Sequence, residues 1–118
     1  MMVEVYGIPN CDTVKKSISW LKENHISFKF HDFKKEEVPT DKLQDWVTAS
    51  SIEKVLNKKS TAFRNLSAEE QEKTSLVKEA ILLMQANPNL IKRPVVEIAG
   101  TVLHGFSVEE YKKAFDKN

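Results

Sequence analysis

The chain of 118 residues has a single cysteine, Cys11. One thiol excludes an intramolecular disulfide framework and a zinc site built from several cysteines. The scarcity of cysteine is typical of reducing compartments, so we expect a cytoplasmic protein. We expect no signal peptide, because the N-terminus runs directly into a strand pattern. No apolar run approaches the roughly 20 residues that a membrane span requires, so no membrane partner is expected.

The chain also lacks an excess of either charge. It carries 18 Lys and Arg against 17 Asp and Glu, for a net charge of +1. No basic block stands out, which argues against direct binding of nucleic acid. The length fits one domain, residues 1–118, with a core of its own, and a monomer is the default expectation at this size.

The first 33 residues alternate between strand and helix patterns. Residues 2–6 alternate and are rich in β-formers, which predicts a strand. From Asp12 to Glu23, apolar residues recur at i, i+4 and i+7, which predicts a helix. A second alternating segment follows at 28–33. With a helical crossover between them, the two strands should be parallel.

The middle of the chain shows helix-start signals instead of alternation. Ser50–Glu53 and Ser67–Glu70 both match a capping box. We predict three to five short helices here, forming an insertion at 38–89 that is not a separate domain.

Strand patterns return at 95–99 and 102–104, with Gly100–Thr101 as the tight turn between them. A capping box at Ser107–Glu110 opens the last helix. The order β-α-β, helices, β-β-α predicts an α/β, thioredoxin-like fold with a four-stranded mixed sheet. Its core is predicted over residues 1–35 and 90–118.

Cys11 lies where the first strand gives way to the first helix. The free N–H groups at the start of a helix stabilise a thiolate, so this position favours a single-thiol redox or oxyanion site. The alternative is a small buried hydrophobic residue. Asp12 should oppose thiolate formation, and its expected role is to cap the helix. Pro94 stands directly before the third strand, where a residue without an N–H is tolerated.

Several segments together resemble the ArsC-like family, which contains glutaredoxin-coupled arsenate reductases, the Spx regulators that bind RNA polymerase, and a third, arsenate-reductase-like branch. The resemblance covers nearly the whole chain. It implies that Pro94 is cis and lies beside Cys11, and that Arg93 projects next to the thiol. The segments that carry it are Tyr6–Lys16, Leu56–Lys59, Phe63–Leu66, Asn87–Pro94 and His104–Phe106.

Departures from the family pattern narrow the expected chemistry. The arsenate reductases use one cysteine and three arginines around the oxyanion, and here Cys11 and Arg93 match. Asn57 and His104 stand at or near the other two arginine positions, so charge-assisted bidentate contacts to an oxyanion are lost. The candidate substitutes are Arg64, Lys58 and Lys59.

The Spx pattern is also incomplete. Val14 replaces the second cysteine of the Cys-x-x-Cys switch, and Ser51 falls where those regulators carry a glycine that contacts the polymerase. The sequence therefore resembles the third branch most closely, for which the expected activity is a thiol-dependent reductase.

The resemblance implies a monothiol oxidoreductase of arsenate reductase type that acts on a small oxyanion or disulfide. Cys11 would attack the substrate while Arg93 stabilises negative charge. Without a resolving cysteine, an external thiol such as glutathione, or glutaredoxin, must complete the cycle. We expect no bound cofactor or metal. The predicted oxyanion- or thiol-binding residues are Asn10, Asp12, Thr13, Arg64, Pro94 and His104.

Two other functions remain open from the sequence. The first is an Spx-like regulator that binds the RNA polymerase α subunit. The second is a degenerate family member whose cysteine is only a site of oxidative modification.

Overall fold

The structure, a computed structural model, describes residues 2–116. It contains two compact units: residues 2–36 with 93–116, and residues 37–92. The predicted insertion at 38–89 falls within the second unit. No helix of residues 2–116 is long and apolar enough to cross a membrane.

The first unit holds all four strands and two helices. They are β1 (Val3–Gly7), α1 (Asp12–Glu23), β2 (Lys29–Asp32), β3 (Val95–Ile98), β4 (Thr101–His104) and α7 (Val108–Phe115). The second unit is helical. It comprises α2 (Thr40–Ala49), α3 (Ile52–Val55), α4 (Thr61–Arg64), α5 (Ala68–Lys73), α6 (Val77–Ala86) and a short 3-10 helix at Pro88–Leu90.

The sheet has the strand order β2-β1-β3-β4. β1 pairs in parallel with β2, and the other two pairings are antiparallel. The α/β prediction of a four-stranded mixed sheet is confirmed. The parallel β-α-β unit follows from the crossover through α1, because a helical connection returns the chain in the same direction.

The register brings four chain segments to one end of the sheet. Gly7, the last residue of β1, pairs with Asp32 at the end of β2. Val95, at the start of β3, pairs with Tyr6 on one side and His104 on the other. The loops after β1, β2 and β4 and the segment before β3 therefore meet at this end.

The core of the first unit lies between the sheet and its two helices. Alternate strand residues point to one face, as the period of two requires, and they contact residues from both helices. The buried members are Val3, Val5, Leu21, Val96, Ile98 and Tyr111.

The predicted capping boxes had different outcomes. The box at Ser67 is complete, with reciprocal bonds between Ser67 and Glu70. The prediction at Ser50–Glu53 was wrong: Ser50 ends α2, and its hydroxyl donates to the Trp46 carbonyl. The helix α3 begins one residue later than this box requires: its N-cap is Ser51, whose side chain makes no capping hydrogen bond. At Ser107, the side chain accepts from the Glu110 N–H.

The hairpin turn lies one residue earlier than predicted. Ile98 pairs with Thr101, so the turn is Ala99–Gly100 and Thr101 belongs to β4. Both turn residues have positive φ, 45° and 84°. Two-residue hairpins favour this backbone because its twist matches that of the strands, and Ala99 gave no sequence signal for it.

Replacing Ala99 with asparagine should stabilise the protein. The left-handed backbone at Ala99 is unfavourable for alanine and tolerated by asparagine, so we expect the free energy of unfolding to rise by about 0.5–1 kcal/mol. Urea denaturation measures the change. The matched control is Ala86→Asn at the end of α6, where no positive φ occurs and no gain is expected; equal stability of wild type and Ala99→Asn would contradict the prediction.

Candidate active site

Cys11 occupies the N-cap position of α1 and is half-buried. Asp12 is the first residue of the helix, so the prediction that it caps the helix was wrong. The N-cap of α1 lies one residue earlier than predicted, at Cys11. Asp12 is exposed in the first turn, where a carboxylate interacts favourably with the helix dipole.

The surroundings of the Cys11 thiol lower its pKa. Partial burial acts to raise the pKa, but several groups together outweigh it. The Val14 N–H, the Arg93 side chain and the Thr13 N–H favour the thiolate as hydrogen-bond donors beside the sulfur, and the positive charge of Arg93 adds attraction. A thiolate is a stronger hydrogen-bond acceptor than a thiol, so these donors stabilise the ionised form of Cys11.

Arg93 approaches Cys11 from the segment before β3, and Pro94 follows it in the chain. The peptide bond between them is cis, and Pro94 is buried. The Pro94 carbonyl accepts a hydrogen bond of 2.8 Å from the N–H of Gly105. This bond ties the segment before β3 to the segment after β4.

His104 ends β4 directly opposite Val95 and is partly buried. It therefore lies at the same end of the sheet as Arg93 and Pro94. Asn10 is exposed in the turn before Cys11, and Thr13 is partly buried in the first turn of α1. These predicted site residues all belong to the first unit.

Arg64 and Asn57 belong to the helical unit. Arg64 is exposed at the end of α4, and its guanidinium donates to the Thr61 hydroxyl at 3.3 Å. The Asn57 side chain accepts from the Lys59 N–H at 3.1 Å. The Asn57 side chain thus stabilises the turn before α4.

The sequence analysis missed a pair of buried hydroxyl groups beneath the site. Ser17 and Tyr111 are both 0% exposed, and their oxygen atoms are 2.8 Å apart. Tyr111 also donates to the Gly105 carbonyl at 2.7 Å. One sequence signal could have indicated that Ser17 is buried: it stands three residues after Val14, on the apolar side of α1.

An open cavity of about 410 Å³ adjoins the loop that carries Cys11. Pro9, two residues before the cysteine, lines it together with Phe30, Asp32, Lys35 and Glu36. The His31 ring lies between Glu36 and Glu4, at 3.0 and 2.6 Å. Within residues 2–116, no group of three or more His, Cys, Asp or Glu side chains is arranged to hold a metal ion.

Comparison with known proteins places this geometry in a family. The model of the ArsC family matches residues 6–114. The chain belongs to the ArsC family. An uncharacterized protein of Haemophilus influenzae is 43% identical over 97% of this chain and 99% of its own. The global transcriptional regulator Spx of Enterococcus faecalis is 25% identical over 95% of this chain and 85% of its own.

Solved structures of ArsC relatives share the fold. The YFFB (PA3664) protein is 39% identical, with a TM-score of 0.89 over 95% of this chain and 97% of its own. An arsenate reductase related protein from Brucella melitensis is 37% identical, with a TM-score of 0.75 over 98% of this chain and 95% of its own. The resemblance inferred from the sequence motifs is therefore confirmed at the level of family and fold.

Proposed function

We propose that this member of the ArsC family is a thiol-dependent reductase that uses Cys11 as its nucleophile. The observation that carries the proposal is the contact between the Arg93 side chain and the Cys11 sulfur at the start of α1. A cation and two helix N–H groups around one partly exposed thiol are the arrangement that lowers the pKa of reactive cysteines. A cysteine serving only as packing needs none of them.

The proposed cycle has two thiol–disulfide exchange steps. The Cys11 thiolate attacks one sulfur of a substrate disulfide, and the other sulfur leaves as a thiolate. An external thiolate, such as that of glutathione, then attacks the sulfur bound to Cys11 and forms a new disulfide. The electron pair of the broken bond returns to Cys11, so the external thiol is oxidised and the enzyme is regenerated.

The external thiol is part of the proposal because the chain has no second cysteine. Arg93 and the Val14 and Thr13 N–H groups would stabilise Cys11 both as attacking and as leaving thiolate. The cavity beside Pro9 offers open space next to the loop for a small substrate or for a thiol donor. Glutaredoxin is the protein donor that the family suggests.

Arsenate is the other electrophile suggested by the family. Arg93 would contact this oxyanion, whereas Asn57 and His104 lack a guanidinium. Each charge-assisted hydrogen bond is worth about 1.5–3 kcal/mol, so we expect arsenate to be a poorer substrate than a mixed disulfide.

Alkylation and turnover test the assigned nucleophile. We expect the pH dependence of Cys11 alkylation by iodoacetamide to give a pKa below the free-thiol value of about 8.5. Reduction of a glutathione mixed disulfide or of arsenate, with glutathione and glutaredoxin, should be lost in Cys11→Ser. Lys78→Gln, on the exposed side of α6 in the helical unit, is the control and should retain turnover.

Two results would contradict the proposal. One is a Cys11 pKa at the free-thiol value, which would remove the chemical basis for a nucleophile. The other is thiol-dependent turnover that survives Cys11→Ser, which would assign the reaction elsewhere.

Transcriptional regulation is the second candidate function. It is favoured by the 25% identity to Spx over almost the whole chain. Regulation of this kind would require binding to the RNA polymerase α subunit. It predicts co-purification with that subunit from wild type and from Cys11→Ser alike, and a pull-down without polymerase would remove this candidate.

A further inference from the structure

A directed set of hydrogen bonds runs beneath the candidate active site. Tyr111 donates its one phenolic proton to the Gly105 carbonyl at 2.7 Å. In the 2.8 Å contact between the two hydroxyl groups, Ser17 must therefore be the donor and Tyr111 the acceptor. Gly105 in turn donates its N–H to the Pro94 carbonyl at 2.8 Å.

These bonds connect the two parts of the chain that meet at the thiol. Ser17 lies on α1, whose N-cap residue is Cys11. Pro94 follows Arg93, whose side chain reaches the Cys11 sulfur. The phenol of Tyr111 thus links the helix that presents the sulfur to the backbone that presents the guanidinium.

The surroundings of the phenol make this link rigid. Phe106 and Trp20 contact its ring edge-on, with centroid distances of 5.0 and 5.5 Å. Tyr111 and Ser17 are both fully buried, so neither hydroxyl can exchange its partner for solvent without opening the core. Gly105 has a φ of 74°, a left-handed backbone that its lack of a side chain permits.

We infer that Tyr111 is a positioning residue for the Cys11 thiolate, which it serves by holding Arg93 and Pro94 at a fixed place relative to α1. The inference rests on the proposed function, because it concerns the reactivity of the same thiol. Tyr111 touches neither the sulfur nor a substrate and acts through the Gly105 backbone. The Tyr111 hydroxyl makes the hydrogen bonds that position this segment, and the Tyr111 ring packs against Trp20 and Phe106.

The link also persists across the pH range in which the thiol titrates. Burial raises the pKa of Tyr111 to about 12; the Ser17 hydrogen bond opposes the rise and the Glu110 charge adds to it. The phenol therefore remains a donor while Cys11 ionises. Any change in the Cys11 profile on removing the hydroxyl then reflects lost positioning.

Tyr111→Phe is the test, because it removes the hydroxyl and keeps the ring. We expect the rate of Cys11 alkylation at pH 7 to fall at least about twofold and its midpoint to move to higher pH, since a less fixed Arg93 stabilises the thiolate less. Ser17→Ala should change the profile in the same direction but less, because the bond from Tyr111 to Gly105 remains. It also serves as the test if Tyr111→Phe does not fold, as judged by circular dichroism.

Tyr6→Phe is the matched control. It removes the other tyrosine hydroxyl, which donates to Glu97 at 3.3 Å, and should leave the Cys11 profile unchanged. A wild-type profile in Tyr111→Phe, or an equal change in Tyr6→Phe, would overturn the inference. A wild-type Cys11 that already titrates as a free thiol would instead overturn the proposed function.

Discussion

Replacing Arg93 with glutamine is expected to slow alkylation of Cys11 at pH 7 by about three- to tenfold, with its midpoint at higher pH. The substitution removes both the hydrogen bond and the positive charge that act on the sulfur. Iodoacetamide kinetics from pH 5 to 10 measure the effect. Arg93→Lys should give an intermediate rate, because lysine keeps the charge but not the planar guanidinium.

The control for this prediction is Lys78→Gln, which removes one positive charge from an exposed position of α6. Its alkylation profile should match wild type. If both variants slowed equally, net charge rather than the contact with Cys11 would be responsible. If neither slowed, the lowered pKa would not depend on Arg93.

The same contact gives protein stability a defined dependence on pH. Because the pKa of Cys11 is lower in the folded state, its thiolate contributes stability that is present above the unfolded thiol pKa of about 8.5 and is lost as pH falls through the folded pKa. The difference in unfolding free energy between wild type and Cys11→Ser should therefore grow with rising pH. Arg93→Gln should flatten this dependence.

Replacing Gly7 with alanine is expected to destabilise the protein by about 1–3 kcal/mol, the usual cost of overpacking. A Cβ at Gly7 would lie 2.8 Å from Cγ2 of Val14, which is closer than such atoms approach in real structures. Val14 is fully buried, and a β-branched side chain in a helix has little freedom to move away. Urea denaturation gives the free energy of unfolding.

A double-mutant cycle separates this contact from other effects at Gly7. Val14→Ala removes both γ-methyl groups, so the Gly7→Ala/Val14→Ala variant should be less destabilised than the sum of the single variants. Additive losses would show that the contact with Val14 is not the cause.

Much of the fold was predictable because its signals are local. The stripe of α1 and the alternation of the strands depend on neighbours within a few residues, and their order specified a mixed sheet. The turn at Ala99–Gly100 was misplaced because alanine is an unusual residue for positive φ. The capping box at Ser50–Glu53 was misplaced because α3 begins one residue later, with Ser51 at its N-cap, and the local sequence does not distinguish the two serines.

In the candidate site, too, residues with a local sequence signal were predicted, and residues brought together only by folding were not. Cys11 and Arg93 were found from a strand-to-helix loop and from family motifs. Ser17 and Tyr111 were missed because they are 94 positions apart, and only folding brings their hydroxyl groups together. No local pattern distinguishes a hydrogen-bonded core serine from an ordinary helix serine.

The sequence by itself determined that this protein has one thiol at the start of a helix, an arginine before a proline, and a β-α-β and β-β-α order. These follow from residue identity and short-range periodicity. Tertiary structure decided which groups surround that thiol, because the Arg93 contact and the Tyr111 link join segments far apart in the chain. The lowered pKa of Cys11 depends in part on the Arg93 contact, since the pKa of a thiol reflects its three-dimensional surroundings.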